Sequence, residues 1–530
     1  MTYKVLISDK FDAEGVSRLK NTPNFEVIYK GGHSKEELLK DIEDVDCLIV
    51  RSATKVKGEV FEHAKKLKLI VRAGVGVDNI DISEASRRGI IVMNAPGGSS
   101  ITTAEHAIAL MFALARNIPQ ANQSMKQGKW EKSKFLGIEL MNKTLGVIGL
   151  GRIGREVVKR AKGLQMKVLG YDPYINREHL SHLEIEIVDL DTLLEKSDII
   201  TVHTPLTETT QNLINKQNLH KLKKGVRLIN CARGGIYDEE ALVEGLKSGH
   251  IGGVALDVFS QEPIPPNFPL IPFENCIMTP HLGASTAEAE FAVAMETIDE
   301  VIEFFTKGIA RNAINFPSMD PEDMDYLKPY FIGAEKVGKL LANLIESPLK
   351  TIQITYNGEI AKKKVEPIKM GIVKGALSKF SGDENVNFVN ALVLAKERGI
   401  RIIENFNEST SDFISSVDVQ FENDHHLQKL KYTVVLNKPI VVKMDGFDLE
   451  FEPEGILLII QNRDVPGVIG SIGTFLGKEN INIASLELSR TKKGELAKSV
   501  IKIDDLLTKE QLEAFQKLPN ILFAKQVDLR

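Results

Sequence analysis

The sequence predicts an α/β protein made of two doubly wound parallel sheets, a mixed α+β region and a small C-terminal βαββαβ unit. Three observations carry this expectation. Residues 1–95 alternate short apolar runs with amphipathic stretches, the pattern of a parallel sheet with helices on both faces. A second series of apolar runs lies between residues 145 and 279, each ending beside a polar or Gly/Pro-rich loop. The last stretch reads strand, helix, strand, strand, helix, strand, the order of a ferredoxin-like unit.

In the first unit the expected buried strands are 4–7, 25–29, 47–50, 69–72 and 90–93, with amphipathic stretches such as 35–42 between them. A long helix is expected near 102–118. Its most apolar part, 107–115, is bounded by His106 and Arg116 and is too short to span a bilayer. The second unit has strands at 145–148, 168–171, 198–202, 227–231, 253–257 and 276–279, and a helix at 155–164. The region 313–450 opens with a helix near 326–344 and continues with mixed signals, without a motif that specifies chemistry. His425 and His426 are adjacent and so cannot share one face of a strand. The C-terminal unit has strands at 455–461, 481–488, 497–503 and 521–527 and helices at 468–478 and 509–517. Two helices cover one face of such a sheet, so the other face needs a partner or must be polar.

At 530 residues the chain exceeds one ordinary core and suggests roughly three or four domains. A net charge of −5 argues against a broad nucleic-acid-binding face. The Lys362-Lys363-Lys364 run reads as a solvated edge. The three cysteines, Cys47, Cys231 and Cys276, are far apart and show no metal-ligand spacing, so no metal site is expected. So few cysteines fit a reducing compartment. The N-terminus becomes polar too soon for a signal peptide. The expected setting is cytoplasmic, with neither membrane nor nucleic-acid partners.

The most specific motif is Gly149-Leu150-Gly151-Arg152-Ile153-Gly154, between an expected strand and an expected helix. The next strand ends at Asp172, roughly 20 residues on, which completes a dinucleotide-binding fingerprint of the Rossmann type. Gly149, Gly151 and Gly154 permit the tight turn and close backbone approach to pyrophosphate. The helix N-terminus offers unpaired N–H groups. Asp172 can accept hydrogen bonds from ribose hydroxyls and would repel a 2′-phosphate, which favours NAD over NADP. Oxidising an alcohol with NAD needs a group to take the hydroxyl proton and a cation to hold an acidic substrate. Arg233, Glu262 and His281 each follow a strand of this unit, and a His paired with a carboxylate gains basicity and a fixed orientation.

The run 149–154, the loop His203-Thr204-Pro205, Arg233 with Gly234-Gly235, Glu262-Pro263 and Pro280-His281 together resemble the D-2-hydroxyacid dehydrogenases over about residues 1–312. Residues 51–56, 72–81 and Gly128-Lys129-Trp130 are most similar to the branch that oxidises 3-phospho-D-glycerate. The C-terminal unit resembles an ACT domain, and residues 313–450 resemble the intervening domain of that branch's long form. The resemblance implies a substrate domain of 1–96 plus 285–312, an inserted NAD domain of 97–284, an intervening domain of 313–452 and an ACT-like domain of 453–530. Closure of the cleft between the first two would exclude water.

The resemblance also implies roles. Arg233 would bind the substrate carboxylate and C2 oxygen, His281 would exchange the proton, and Glu262 would orient His281. Arg152, Ile153 and Asp172 would hold the dinucleotide. Thr204, Cys231, Asp257, Gly283 and Ala284 would line its remaining contacts, with Asp257 facing the carboxamide. Arg51 and Arg72, with Gly74 beside them, are candidates for holding a substrate phosphate. Lys132 and Lys134 are candidates to reach a neighbouring subunit's site. Val75 stands where relatives often carry Thr, which leaves that contact to backbone. Asp464 and Asn482 sit where an ACT unit would bind L-serine as a feedback effector. A homodimer or homotetramer is implied. The reading is then NAD-dependent oxidation of 3-phosphoglycerate, opening L-serine biosynthesis. The alternatives are another hydroxyacid substrate (2-hydroxyglutarate, glycerate or lactate) and an NAD-sensing binding protein.

Overall fold

The computed structural model describes residues 2–530 except 176–179, 181–182, 317–321, 346–347, 383–385 and 410–411. The first sheet contains β1 (Tyr3–Ile7), β2 (Phe25–Tyr29), β3 (Cys47–Val50), β4 (Leu69–Arg72) and β5 (Ile91–Asn94). Its order is β2-β1-β3-β4-β5 and every neighbouring pair is parallel. All four residues of β3 are buried, because helices cover both sheet faces. That is why it reads as an unbroken apolar run. The helix Ala287–Lys307 also belongs here, although the whole second sheet precedes it in sequence. Its Val293, Ala294, Ile298 and Val301 share one core with Val5, Ile7, Leu69 and Met93.

That helix also fixes the crossing between the two units. Glu296 accepts the Gly97 N–H (2.9 Å) and the Gly98 N–H (3.1 Å). One turn on, Glu300 is buried and accepts from Asn312 Nδ2 at 2.6 Å. Burial raises the Glu300 carboxyl to about 8. The Asn312 bond and Arg311 oppose that rise, while Glu296 and Glu303 add to it. An acid whose folded value lies above its unfolded value takes up protons on folding. Its stabilising contribution is therefore lost as pH rises from the ordinary carboxylate range through about 8. Glu300→Gln is accordingly expected to raise the melting temperature above pH 8 by about 2–4 °C, with no gain near pH 5. Thermal scans at the two pH values check this.

The second sheet contains β6 (Thr144–Ile148), β7 (Lys167–Tyr171), β8 (Glu186–Ile187), β9 (Ile199–Val202), β10 (Val226–Asn230), β11 (Ile251–Leu256) and β12 (Cys276–Met278). Its order is β12-β11-β10-β9-β6-β7-β8. The winding reverses between β6 and β9, so a crevice opens at the carboxyl end of β6, where the Gly-rich run begins. The helix Ser100–Arg116 packs here, with Ala104, Ala107, Leu110 and Met111 against Val147, Val157 and Ala161. The helix after the Gly-rich run differs from expectation. It spans Arg152–Gly163 and so starts three residues before the expected 155. Its N-cap is Gly151, which supplies no side-chain cap and leaves the first-turn N–H groups facing the crevice.

The region after residue 320 builds a mixed sheet of β13 (Thr351–Gly358), β14 (Arg401–Asn407), β15 (Ser415–Glu422), β16 (Leu427–Val435), β17 (Lys438–Met444) and β18 (Phe447–Phe451). The order is β14-β13-β15-β16-β17-β18, with only β13 and β14 parallel. The final sheet contains β19 (Ile456–Arg463), β20 (Ile483–Arg490), β21 (Leu496–Ile503) and β22 (Ile521–Asp528) in the antiparallel order β20-β21-β19-β22. Residues 456–460 are all buried because alternate side chains enter two different cores. Leu458 and Ile460 pack with Val468, Ile472 and Phe515 of the two helices. Leu457 and Ile459 join the core of the mixed sheet. The partner that the second face requires is therefore supplied by the same chain. Buried Lys498 of β21 pairs across this junction with Asp445. Among the described residues no helix is long and apolar enough to cross a membrane.

Candidate active site

The Gly-rich run forms a cradle whose glycines do different work. Gly149 has φ +90°, and a Cβ there would lie 2.5 Å from the His203 carbonyl oxygen. A Cβ on Gly154 would lie 2.0 Å from the Gly149 oxygen, so only glycine lets helix and turn meet. Gly151 faces open space, where a bound phosphate can approach the backbone. Asp172 is fixed at the end of β7, accepting from Leu150 N (2.9 Å) and Tyr174 N (3.0 Å). Arg152 is exposed in the first helical turn and Ile153 is half-buried beside it. The Thr204 hydroxyl is buried without a hydrogen-bond partner among the described residues. Burial, and then the charge of Asp257, pushes the Cys231 thiol up, so it stays neutral. An open Gly-rich cradle, an acid fixed at the end of the next strand and an orphaned hydroxyl fit a dinucleotide. Asp172→Ala is expected to weaken NAD binding and relax discrimination against NADP, each by about tenfold or more. Fluorescence titrations with NADH and NADPH check this.

In the loops after β11 and β12, His281 Nδ1 lies 2.8 Å from Glu262 Oε2. Glu262 Oε1 accepts the Phe259 N–H at 3.0 Å, so the carboxylate is held at both oxygens. The Glu262 hydrogen bond raises the His281 imidazole above its ordinary value, outweighing burial. Burial alone would raise Glu262, but the His281 and Phe259 hydrogen bonds and the imidazolium charge hold it below the usual range. His281 adopts φ +56°, a left-handed conformation uncommon outside glycine and asparagine. Asp257 maintains it. Its backbone oxygen accepts the His281 N–H (2.9 Å), and its carboxylate accepts from Leu282 N (2.7 Å), Gly283 N (2.8 Å) and Thr279 Oγ1 (2.5 Å). His106 Nε2 lies 3.2 Å from the same carboxylate.

The Asp257 side chain is fully buried, with its carboxylate held by these donors of the loop that carries His281. Gly283 is buried against it and Ala284 is exposed at the crevice edge.

Three guanidinium groups gather at the cleft, Arg233 from the second unit and Arg51 and Arg72 from the first. Arg233 Nε donates to Asp78 Oδ2 at 2.9 Å, and Nη1 donates to the Ala232 oxygen at 2.6 Å. A Cβ on Gly76 would lie 1.8 Å from Arg233 Nη2, and one on Gly74 would lie 1.5 Å from Arg72 Nη1. Arg72 is pushed down to about 10 by burial, then by the charges of Arg233 and Arg51. Its Nε is buried and has no hydrogen-bond partner among the described residues. Arg51 is tied to Glu290 Oε1 (3.0 Å), and its backbone N–H donates to Asp9 Oδ2 (2.5 Å). Asn79 Nδ2 donates to the Arg51 and Thr54 oxygens and so locks that loop.

Other expected residues are not brought together within the chain. Lys134 pairs with Glu274 at 3.4 Å, and neither it nor Lys132 bonds to the arginine cluster. Asp464 is bound by Arg490 (3.0 Å) and Gly494 N (3.0 Å), whereas Asn482 donates to Asp504 (2.8 Å). Asp78, Asp9, His106 and Thr279 escaped sequence reasoning as site residues. Asp78 lies in the stretch 72–81 that carries the family resemblance, and nothing in its spacing points to Arg233.

A Gly-rich cradle, an arginine bridging the two units and a His–Glu pair at the strand ends fit an NAD-dependent oxidoreductase of 2-hydroxyacids. Residues 108–283 match the NAD-binding domain of the D-isomer specific 2-hydroxyacid dehydrogenases. Residues 326–445 match the D-3-phosphoglycerate dehydrogenase intervening domain and residues 456–520 the ACT domain. The D-3-phosphoglycerate dehydrogenase of Archaeoglobus fulgidus is 44% identical over 99% of this chain and 100% of its own length. That of Methanocaldococcus jannaschii is 42% identical over 98% of each. The chain belongs to the D-3-phosphoglycerate dehydrogenase family. Among solved structures, D-lactate dehydrogenase from Aquifex aeolicus complexed with NAD and lactic acid is 30% identical, with a TM-score of 0.53 over 59% of this chain and 100% of that one.

Proposed function

We propose that the protein oxidises 3-phospho-D-glycerate at C2 to 3-phosphohydroxypyruvate, the opening step of L-serine synthesis. The observation that carries this is the 2.8 Å His281–Glu262 pair beside a cluster of three arginines. Bound NAD supplies the acceptor for the C2 hydride. With Nδ1 held by Glu262, Nε2 of His281 is the free nitrogen that takes the hydroxyl proton. Glu262 stabilises the imidazolium that results. Arg233 holds the carboxylate and steadies the forming carbonyl oxygen. Arg72, with an unpaired Nε, is the cation best placed for the phosphate, and Arg51 joins it once Glu290 yields.

Consumption of NADH with 3-phosphohydroxypyruvate, hydroxypyruvate and 2-oxoglutarate side by side tests this reading. A strong preference for the phosphorylated acid supports it. Equal or better use of the others rejects that specificity.

We read the protein further as a cytoplasmic homodimer or homotetramer. Support comes from an apolar surface near the helix Ser100–Arg116, where Trp130 is 82% and Leu136 89% exposed, together with Phe112 and Met125. Lys132 and Lys134 lie between Trp130 and Leu136, where a second subunit would bring them towards the neighbouring crevice. L-Serine is the proposed effector at the ACT-like unit, with Asp464 and Asn482 as its ligands.

A further inference from the structure

We propose that Asp78 is a positioning residue for Arg233, setting which edge of the guanidinium meets the substrate and doing so from across the cleft. The inference rests on the reading of Arg233 as the group that grips the substrate carboxylate. Arg233 follows β10 of the second sheet, whereas Asp78 follows β4 of the first, so their 2.9 Å bond joins two separate units.

A guanidinium offers two edges to a carboxylate, one formed by Nε with one Nη and one by the two Nη atoms. Asp78 takes Nε–H, and the Ala232 oxygen takes one Nη1 hydrogen. What stays available is the outer edge with Nη2. Gly76 makes room for it, since a Cβ there would meet both Arg233 Nη2 (1.8 Å) and Asp78 Oδ2 (3.0 Å).

The bond does little for stability. The Asp78 side chain is 67% exposed, and ion pairs in that setting contribute almost nothing measurable. Its value is geometric. The turn that carries Asp78 is rigid: Asn79 O accepts the Val56 N–H (2.8 Å), and Asn79 Nδ2 holds the Arg51 loop. Asn94 Nδ2 fixes the Val75 oxygen at 2.6 Å. Arg51 and Asp78 therefore share one hydrogen-bonded framework in the first unit. Arg233 is held by the Ala232 oxygen on its own unit and by Asp78 on the other, so its orientation depends on how the two units are apposed.

The test compares Asp78→Ala and Asp78→Asn with the unaltered full-length protein. Asp78→Ala is expected to lower kcat/KM for 3-phospho-D-glycerate by about ten- to a hundredfold, mainly through KM, as misplacement of a gripping group does. NADH affinity, melting temperature and the pH limb set by His281 should not move. Asp78→Asn keeps an acceptor for Nε and should recover most of the loss. Unchanged kcat/KM in Asp78→Ala overturns the proposal. A lowered KM also overturns it, because Asp78 would then be competing with substrate for Arg233. Binding of oxalate to the NADH-bound protein separates this from failure of the substrate reading. If no phosphorylated acid is turned over, that reading fails, yet Asp78→Ala must still weaken oxalate by a similar factor. Equal oxalate affinity in the two proteins overturns the role of Asp78.

Discussion

His281→Ala is expected to lower kcat for oxidation by about three orders of magnitude, with little change in NADH affinity. The imidazole is held by a carboxylate and its side chain stays 52% accessible. Stopped-flow hydride transfer with the variant checks this. Glu262→Gln gives the matching pH result. In oxidation the imidazole must be neutral, so the rate climbs as pH rises through its pKa. The Glu262 hydrogen bond and charge raise that pKa. Removing the charge lowers it, so the ascending limb of kcat/KM moves to lower pH. For reduction, which needs the imidazolium, the descending limb moves the same way. An unmoved limb would mean that another group sets the profile.

Arg233→Ala should be nearly as damaging, but with a different signature. Losing a charge-assisted bidentate contact costs about 2–4 kcal/mol, which is roughly thirty- to a thousandfold in kcat/KM. Most of it should appear in KM, because the carboxylate is bound in the ground state as well as the transition state. Arg233→Lys should recover little, since a point charge cannot reproduce the fork held between Asp78 and Ala232. Steady-state kinetics of both variants with the same acid distinguish the two effects.

Much of this architecture was legible from local pattern. The strands of the parallel sheets are short apolar runs bounded by polar loops, and β2, β3 and β4 fall on the expected residues. The start of the helix at Arg152 was less legible. Its N-cap is a glycine with no capping side chain, so the usual signal is missing at the very place where the function needs free N–H groups. The mixed sheet resisted because its order joins a parallel pair to an antiparallel meander, and pairing partners leave no local trace.

At the site, Arg233, Glu262 and His281 could be named because each follows a strand of a dinucleotide unit. Glu262 could also be named as the partner of His281, but the carboxylates that hold Arg233 and the His281 loop could not be placed. Asp257 reads as one more strand-end acid, and only the folded loop shows that its carboxylate accepts from Leu282 N and Gly283 N. Asp78 and Arg233 lie on different sheets, and only the folded chain brings them together.

The most direct measurement is the fate of the label when 4-deuterated NADH, chirally labelled on the transferred face, reduces 3-phosphohydroxypyruvate. Deuterium is expected at C2 of 3-phospho-D-glycerate, with near absence when His281→Ala is used over the same interval. Product of the L configuration, or product without deuterium at C2, would contradict it.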